Sequence, residues 1–484
     1  MKRPNVVFIL TDDQGAWALN CAGTPEIHTP NLDRIAQRGM RFDNFFCVSP
    51  VSSPARASLL TGDIPSSHGV HDWIRSGNLD REKFEDVGRQ NPYFGGYDDE
   101  DKPIRYLGGK TTYTDVLAQN GYTCALSGKW HLGDSIQPQH GFKYWYTIGK
   151  GGCYYNYPDI VEDGNIIIEN GYVTDLITDK ALDFLDDLTV QDNPFYLSVH
   201  YTAPHSPWEA EHHPDEFIEM YKDCEFESIP NVPDHKDMAT GPVYGTQKRR
   251  ENLIGYFAAV TAMDYNVGRI LDKLEKIGIL DDTIIIFSSD NGMNMGHHGI
   301  WGKGNGTFPM NMYDTSVKVP FLISYPSLIP KGSVCSDMVS AYDFFPTLMD
   351  LLGIKTDAIK DLPGRSFYKS LLGESRDSDD SSIVVFDEYG PVRMIRSRHF
   401  KYIHRYPYGP NEFYDLVKDP DENNNCIDDP NYRTEILEMR KKLEKWFAEY
   451  ADPEIDGTRE GVTGLGQLCR AGVHSEKLVK YAQR

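Results

Sequence analysis

The sequence has no apolar run long enough to span a bilayer, which excludes a membrane helix. Cationic charge is also scarce. Lys and Arg number 49 against 72 Asp and Glu, a net charge of −23, which argues against nucleic acid or an acidic membrane as partner. The eight cysteines are scattered from Cys21 to Cys469, with no CxxC pair and no zinc-like spacing, so reduced thiols of a cytosolic protein are expected. There is no internal repeat. A secretory leader is not expected in the first residues either: the apolar run at 5–10 is short, ends in Thr11-Asp12-Asp13 and has no small-residue cleavage site after it. That run reads as a first core strand, and the protein is expected in the cytoplasm unless a leader has been trimmed. Nothing in the sequence sets the oligomeric state.

What is present describes a globular protein of more than one core. The chain has 484 residues, 40% hydrophobic and 25% charged, a length at which two domains are expected. Strands are read at 5–10, 122–126, 195–200, 283–287 and 319–324 from their β-branched content. Helices are read at 31–38, 111–119, 174–188, 248–276 and 338–352 from apolar spacing. Such alternation implies an α/β fold, a mostly parallel or mixed sheet sandwiched by helices. Residues 66–101 read as a long excursion and 133–170 as an aromatic loop region. Beyond about residue 380 the pattern becomes short hairpin-like strands at 382–386, 392–395 and 400–404, then a helix at 434–450. A large α/β unit over 1–378 and a small antiparallel unit with one helix over 379–484 are therefore expected.

The rest of the chain is organised around residues 51–62. Pro54 suits a first helical turn, residues 55–60 favour a helix, and Gly62 suits its end. Ser52 then sits at a helix N-terminus, where free N–H groups favour an anion, and Arg56 can fold back toward it. Three polar clusters fall at the carboxyl ends of strands: Asp12-Asp13, His205 and Asp290-Asn291. Carboxylates and a carboxamide are hard oxygen ligands that suit Ca²⁺ or Mg²⁺.

Ser52-x-Pro54-x-Arg56-x-x-x-x-Thr61-Gly62 resembles the signature of the type I sulfatases of the alkaline phosphatase superfamily. The resemblance continues in order through Thr11-Asp12-Asp13, through Gly128-Lys129-Trp130-His131, through Pro204-His205 and through Ser289-Asp290-Asn291-Gly292 to His297-His298-Gly299-Ile300-Trp301-Gly302-Lys303. Lys318 stands where the family has an arginine. The likeness runs from residue 5 to about 421.

An alkaline phosphatase-like fold and sulfate ester hydrolysis are what this resemblance implies. Ser52 would be oxidised after synthesis to formylglycine, whose hydrate is the nucleophile, by a maturase that accepts serine; a serine engineered in place of cysteine is the alternative. Asp12, Asp13, Ser52, Asp290 and Asn291 would bind Ca²⁺, or Mg²⁺. Arg56, Lys129 and Lys303 would hold the sulfate. His205 would protonate the leaving alcohol, and His131 would take the proton that releases sulfate. His298, Asp72, Trp73, Arg75 and Trp301 would contact the remainder of the substrate, expected to be a sulfated saccharide of the glycosaminoglycan or mucin type. Arg393 and Arg396 are read as contacts for a second acidic group. A broad arylsulfatase, a phosphoesterase or phosphonate hydrolase with two metals, and a sulfated-glycan binder without turnover are the other readings.

Overall fold

The computed structural model describes residues 3–84, 99–374 and 384–484. Part of the 66–101 excursion and the expected junction near 378 lie outside these residues. A ten-stranded sheet forms the centre. Its strands are β1 (Asn5–Thr11), β2 (Met40–Phe42), β3 (Thr123–Gly128), β4 (Phe142–Ile148), β5 (Asp159–Glu162), β6 (Asn165–Ile168), β7 (Phe195–His200), β8 (Thr283–Ser289), β9 (Phe321–Ser324) and β10 (Ser333–Cys335). Their spatial order is β10-β2-β9-β8-β1-β7-β3-β4-β5-β6. The five central strands from β8 to β4 are mutually parallel. β9 runs antiparallel to both β8 and β2, and β5 and β6 add an antiparallel hairpin at the far edge. The sheet is mixed at its flanks and parallel at its heart.

Successive side chains of a strand point to opposite faces, so a central strand that is apolar throughout must feed two cores. Val6, Phe8 and Leu10 of β1 enter one core with Ile284 and Ile286 of β8. Helices α2 (Ser52–Thr61), α3 (Tyr113–Gln119) and α6 (Phe344–Leu352) cover that face. Val7 and Ile9 enter the other core with Leu197, Val199, Ile285 and Phe287. That face is covered by α1 (Pro30–Arg38), α4 (Val173–Thr189) and α5 (Gln247–Lys276). No helix among the described residues is long and apolar enough to cross a membrane.

The C-terminal part is a four-stranded antiparallel sheet of β11 (Val384–Tyr389), β12 (Val392–Ser397), β13 (Phe400–Arg405) and β14 (Glu412–Asp415), paired in sequence order. Helix α7 (Arg433–Tyr450) lays Met439, Leu443 and Phe447 against it. The small sheet is not insulated from the large one: Val385, Phe386, Tyr389, Met394 and Ile395 belong to the same apolar cluster as α2 and α6.

Two expectations need correction. Residues 133–170 carry three strands, β4 to β6, rather than loop alone, because the run Phe142–Ile148 pairs with β3 on one side and β5 on the other and buries its last three residues. β14 was also missed, since a strand of four residues after Pro407 and Pro410 shows too few alternations to be read.

Candidate active site

β1 and β8 are parallel neighbours in register, Thr11 opposite Ser289, so Asp12-Asp13 and Asp290-Asn291 leave the sheet side by side at its carboxyl edge. Helix α2 points its N-terminus at the same spot. Its N-cap, Val51, is extended and offers no side-chain cap, and all ten helix residues are buried. The first-turn N–H groups therefore meet the site without a capping side chain.

Ser52 is 1% exposed and its hydroxyl sits at the centre. It donates to Asp12 Oδ1 at 2.9 Å, lies 3.4 Å from Asn291 Oδ1, and accepts from Lys303 Nζ at 3.1 Å. Lys129 pairs with Asp12, and Lys303 with Asp13. Arg56 donates from Nε to Asp290 Oδ2 at 2.9 Å and from Nη1 to the Lys129 carbonyl at 3.3 Å. Its Nη2 is buried, has no hydrogen-bond partner and lies 3.8 Å from Asp12 Oδ2. A buried guanidinium nitrogen left without an acceptor is a place for an anionic oxygen.

His205 brings Nε2 to 3.6 Å from Asp13 Oδ2. The Tyr155 hydroxyl anchors its segment by donating to the His205 carbonyl at 2.8 Å. His131 contacts the Ile74 carbonyl through Nε2 at 2.9 Å. A carbonyl only accepts, so Nε2 carries the proton and Nδ1, buried and without a partner, keeps its lone pair.

The local field sorts these groups. Burial alone would raise the Asp12 carboxyl, but Lys129, His205, Arg56 and Lys303 hold it well below the usual carboxylate range. Asp290 is pushed up to about 6, first by burial and then by the charge on Asp12. Burial lowers Lys129 despite Asp12, whereas at Lys303 burial is outweighed by Asp13, Asp12 and Asp290, which raise it. Burial, and then Lys129, keep His131 well below the usual range, so its imidazole is held neutral.

Asp12, Asp13 and His205 present donor atoms that all lie within 4.8 Å of one another, the one such group of His, Cys, Asp and Glu among the described residues. With Asn291 Oδ1 alongside, the donors are mainly hard oxygens and fit a divalent cation of the Ca²⁺ or Mg²⁺ kind. Asp290 is more committed than expected. Arg56 holds its Oδ2, and the N–H groups of Asp13 and Asn291 donate to its Oδ1 at 3.2 and 2.8 Å.

The site opens into a cavity of about 1010 Å³ lined by Ser52, Lys129, His131, His205 and Lys303, with Trp73, Arg75 and Tyr154 toward its mouth. Asp72, Trp301 and His298 are not brought to it. Asp72 is fully buried beneath Trp73, where it accepts from the Tyr389 hydroxyl and the Gly466 N–H. Trp301 is buried under the Arg249 guanidinium, and His298 stacks on Tyr313 at 3.9 Å. Arg393 and Arg396 are held by Glu388 and Asp456 and by Asp314, so both brace the small sheet rather than face the cavity. Asn78, Lys150 and Asn305 line it without having been anticipated. The only signal for Asn305 is its place two residues beyond Lys303.

The sequence matches the sulfatase family model over residues 4–354 and that of the N-sulphoglucosamine sulphohydrolase C-terminal region over 296–449. It is 31% identical to an N-acetylglucosamine-6-O-sulfatase of Bacteroides thetaiotaomicron, over 94% of this chain and 88% of that protein. It is 30% identical to an ulvan-active sulfatase of Formosa agariphila, over 93% and 82%. Among solved structures it is similar, with a TM-score of 0.75 and 28% identity over 95% of this chain and all of the other, to a protein in complex with its substrate D-glucosamine-2-N,6-O-disulfate.

Proposed function

From the premise that this chain belongs to the sulfatase family and hydrolyses sulfate esters, we propose that its substrate is a sulfated saccharide, attacked by formylglycine formed from Ser52 beside one Ca²⁺. The observation that carries the reading is a cationic floor under a mixed aromatic and polar mouth. Within a chain of net charge −23, Lys129 and Lys303 line the cavity with Ser52, and Arg56 is buried against Asp12 and Asp290, so attraction for an anion is local. Trp73 and Tyr154 offer faces for the apolar side of a sugar ring, and Asn78, Asn305 and Ser206 offer hydroxyl partners. Similarity to proteins that act on sulfated glucosamines supports the same class.

When present, the metal and the formylglycine hydrate supply a charged anchor for sulfate and a hydroxyl nucleophile; Asp12, Asp13, Asn291 and position 52 would hold them. Arg56 and Lys129 neutralise charge on the sulfate oxygens, with Arg56 Nη2 available to one of them. Lys303 Nζ, hydrogen-bonded to the position-52 oxygen, lowers the cost of its negative charge. His205, whose Nδ1 donates to the Ser206 carbonyl at 2.8 Å, holds Nε2 at the cavity wall and as the imidazolium delivers a proton from it to the departing alcohol, while His131 keeps a lone pair at Nδ1 for the proton that is taken up. A serine-accepting maturase is the partner this chemistry needs.

The test is a panel of defined sulfated mono- and disaccharides beside 4-nitrophenyl sulfate, assayed with protein produced alongside the maturase. A sulfated glucosamine or galactosamine should give the highest kcat/KM. If the aryl sulfate turns over best and no saccharide competes with it, the saccharide reading fails. Elemental analysis of the same protein should find one Ca²⁺ per chain. Two zinc ions per chain would favour a phosphoesterase.

A further inference from the structure

Residues 451–484 follow α7 and lie beyond both family matches, yet part of this segment is built into the mouth of the cavity. Gln467 pairs with the strand-like stretch Trp73-Ile74-Arg75: its N–H donates to the Trp73 carbonyl at 2.7 Å and its carbonyl accepts from Arg75 N–H at 2.9 Å. The Gln467 side chain is fully buried and uses all its capacity nearby. Its Oε1 accepts from the N–H groups of His71 and Asp72 at 2.8 and 3.3 Å, and its Nε2 donates to the carbonyls of Gly69 and Cys469. One step earlier, Gly466 N–H donates to the buried Asp72 carboxylate at 3.0 Å.

The same segment seizes the side chains that flank Ile74. The Gly464 carbonyl accepts from Trp73 Nε1 and from Asn305 Nδ2, both at 3.2 Å, and so ties the Trp73 stretch to the loop that carries Lys303. The Leu465 carbonyl accepts from Arg75 Nη1 at 3.2 Å. Ile74 has an anchor of its own: its N–H donates to Ser53 Oγ at 2.9 Å, while its carbonyl holds His131. The catalytic side of the stretch is therefore fastened by α2, and the substrate side by the C-terminal segment.

We propose that residues 464–467 are a leaving-group clamp, with Gln467 and Gly466 as positioning residues that set Trp73 and Arg75 against the alcohol part of the substrate. Neither residue touches substrate. They act through the wall they hold, so their loss should weaken recognition of a large leaving group while sparing the transfer of sulfate. Gly466 is the sharper probe. Its φ is +112°, and a Cβ there would come within 2.7 Å of Arg75 Cβ and 3.0 Å of the Trp73 indole, so any side chain displaces both.

The clamp rests on the saccharide reading for the identity of the leaving group, and the experiment separates the two. KM and kcat are measured for Gly466→Ala and Gln467→Ala on a sulfated disaccharide and on 4-nitrophenyl sulfate, with thermal melting as a check on folding. KM for the disaccharide should rise about tenfold or more, the effect of losing one or two well-made contacts, while kcat on the aryl sulfate stays within about twofold. Equal losses on both substrates, or no change on either, overturn the clamp. If unsubstituted protein does not turn over the disaccharide, the saccharide reading fails. The clamp is then judged on 4-methylumbelliferyl sulfate, the larger aryl ester, against 4-nitrophenyl sulfate. An unchanged ratio between these two overturns it.

Discussion

Ser52→Ala protein, produced beside the maturase, should hydrolyse sulfate esters at about 10⁻⁴ of the unsubstituted rate or less, because a nucleophile and the groups that serve it are lost as a unit. The structure aims three polar groups at one oxygen: Asp12 at 2.9 Å, Lys303 at 3.1 Å and Asn291 at 3.4 Å from Ser52 Oγ. None has an equivalent partner in an alanine. Unsubstituted protein made without the maturase should be almost as inactive, since an ordinary serine ester would need a separate hydrolysis step that this site does not provide. Peptide mass decides what happened at position 52: conversion of serine to formylglycine removes two hydrogens, about 2 Da. Full activity with an unmodified Ser52 peptide overturns formylglycine while leaving Ser52 as the nucleophile. Full activity of Ser52→Ala overturns both.

Much of the chemical centre was legible because its parts are local. Asp12-Asp13 and Asp290-Asn291 each follow directly on a β-branched strand, and a strand's carboxyl end is where a parallel sheet exposes polar groups. Ser52 and Arg56 share one helical turn, so their convergence is a matter of spacing. What the sequence could not convey is which partner a side chain meets across hundreds of residues. Asp72 sits beside Trp73 and Arg75 in the chain, yet only the latter two reach the cavity, because Gly466, 394 residues away, and Tyr389 draw Asp72 inward. Trp301 shows the same failure. Two residues from Lys303 it looks like a mouth residue, but Arg249 covers it from the long helix α5. The edge hairpin β5–β6 was hidden for another reason. Two strands of four residues around Asp163-Gly164 offer too few alternations to stand out from an aromatic loop.

Removing Arg56 should cost both turnover and stability, and the two losses have different origins. The guanidinium is 1% exposed and spans three groups: the Asp290 carboxylate, the Lys129 carbonyl and the neighbourhood of Asp12. Arg56→Ala leaves the buried Asp290 carboxylate facing a void, and breaking a buried pair from one side costs about 3–5 kcal/mol. Asp290 is already pushed up to about 6 by burial and by Asp12, so without Arg56 its carboxyl shifts further toward the neutral form. The catalytic loss follows from Nη2. Taking away one preorganised donor to a charged oxygen lowers kcat by about 10²–10³-fold. Arg56→Lys separates the effects. An ammonium restores a positive charge beside Asp290 but cannot reach Asp290, the Lys129 carbonyl and the sulfate at once, since it lacks the planar fork. Thermal melting should therefore recover most of the way in Arg56→Lys, while kcat stays at least about tenfold down. Metal content is measured on both variants, so that a lost ion is not mistaken for a lost donor. Arg56→Ala protein that melts with the parent and keeps its kcat would show that Nη2 serves no substrate oxygen.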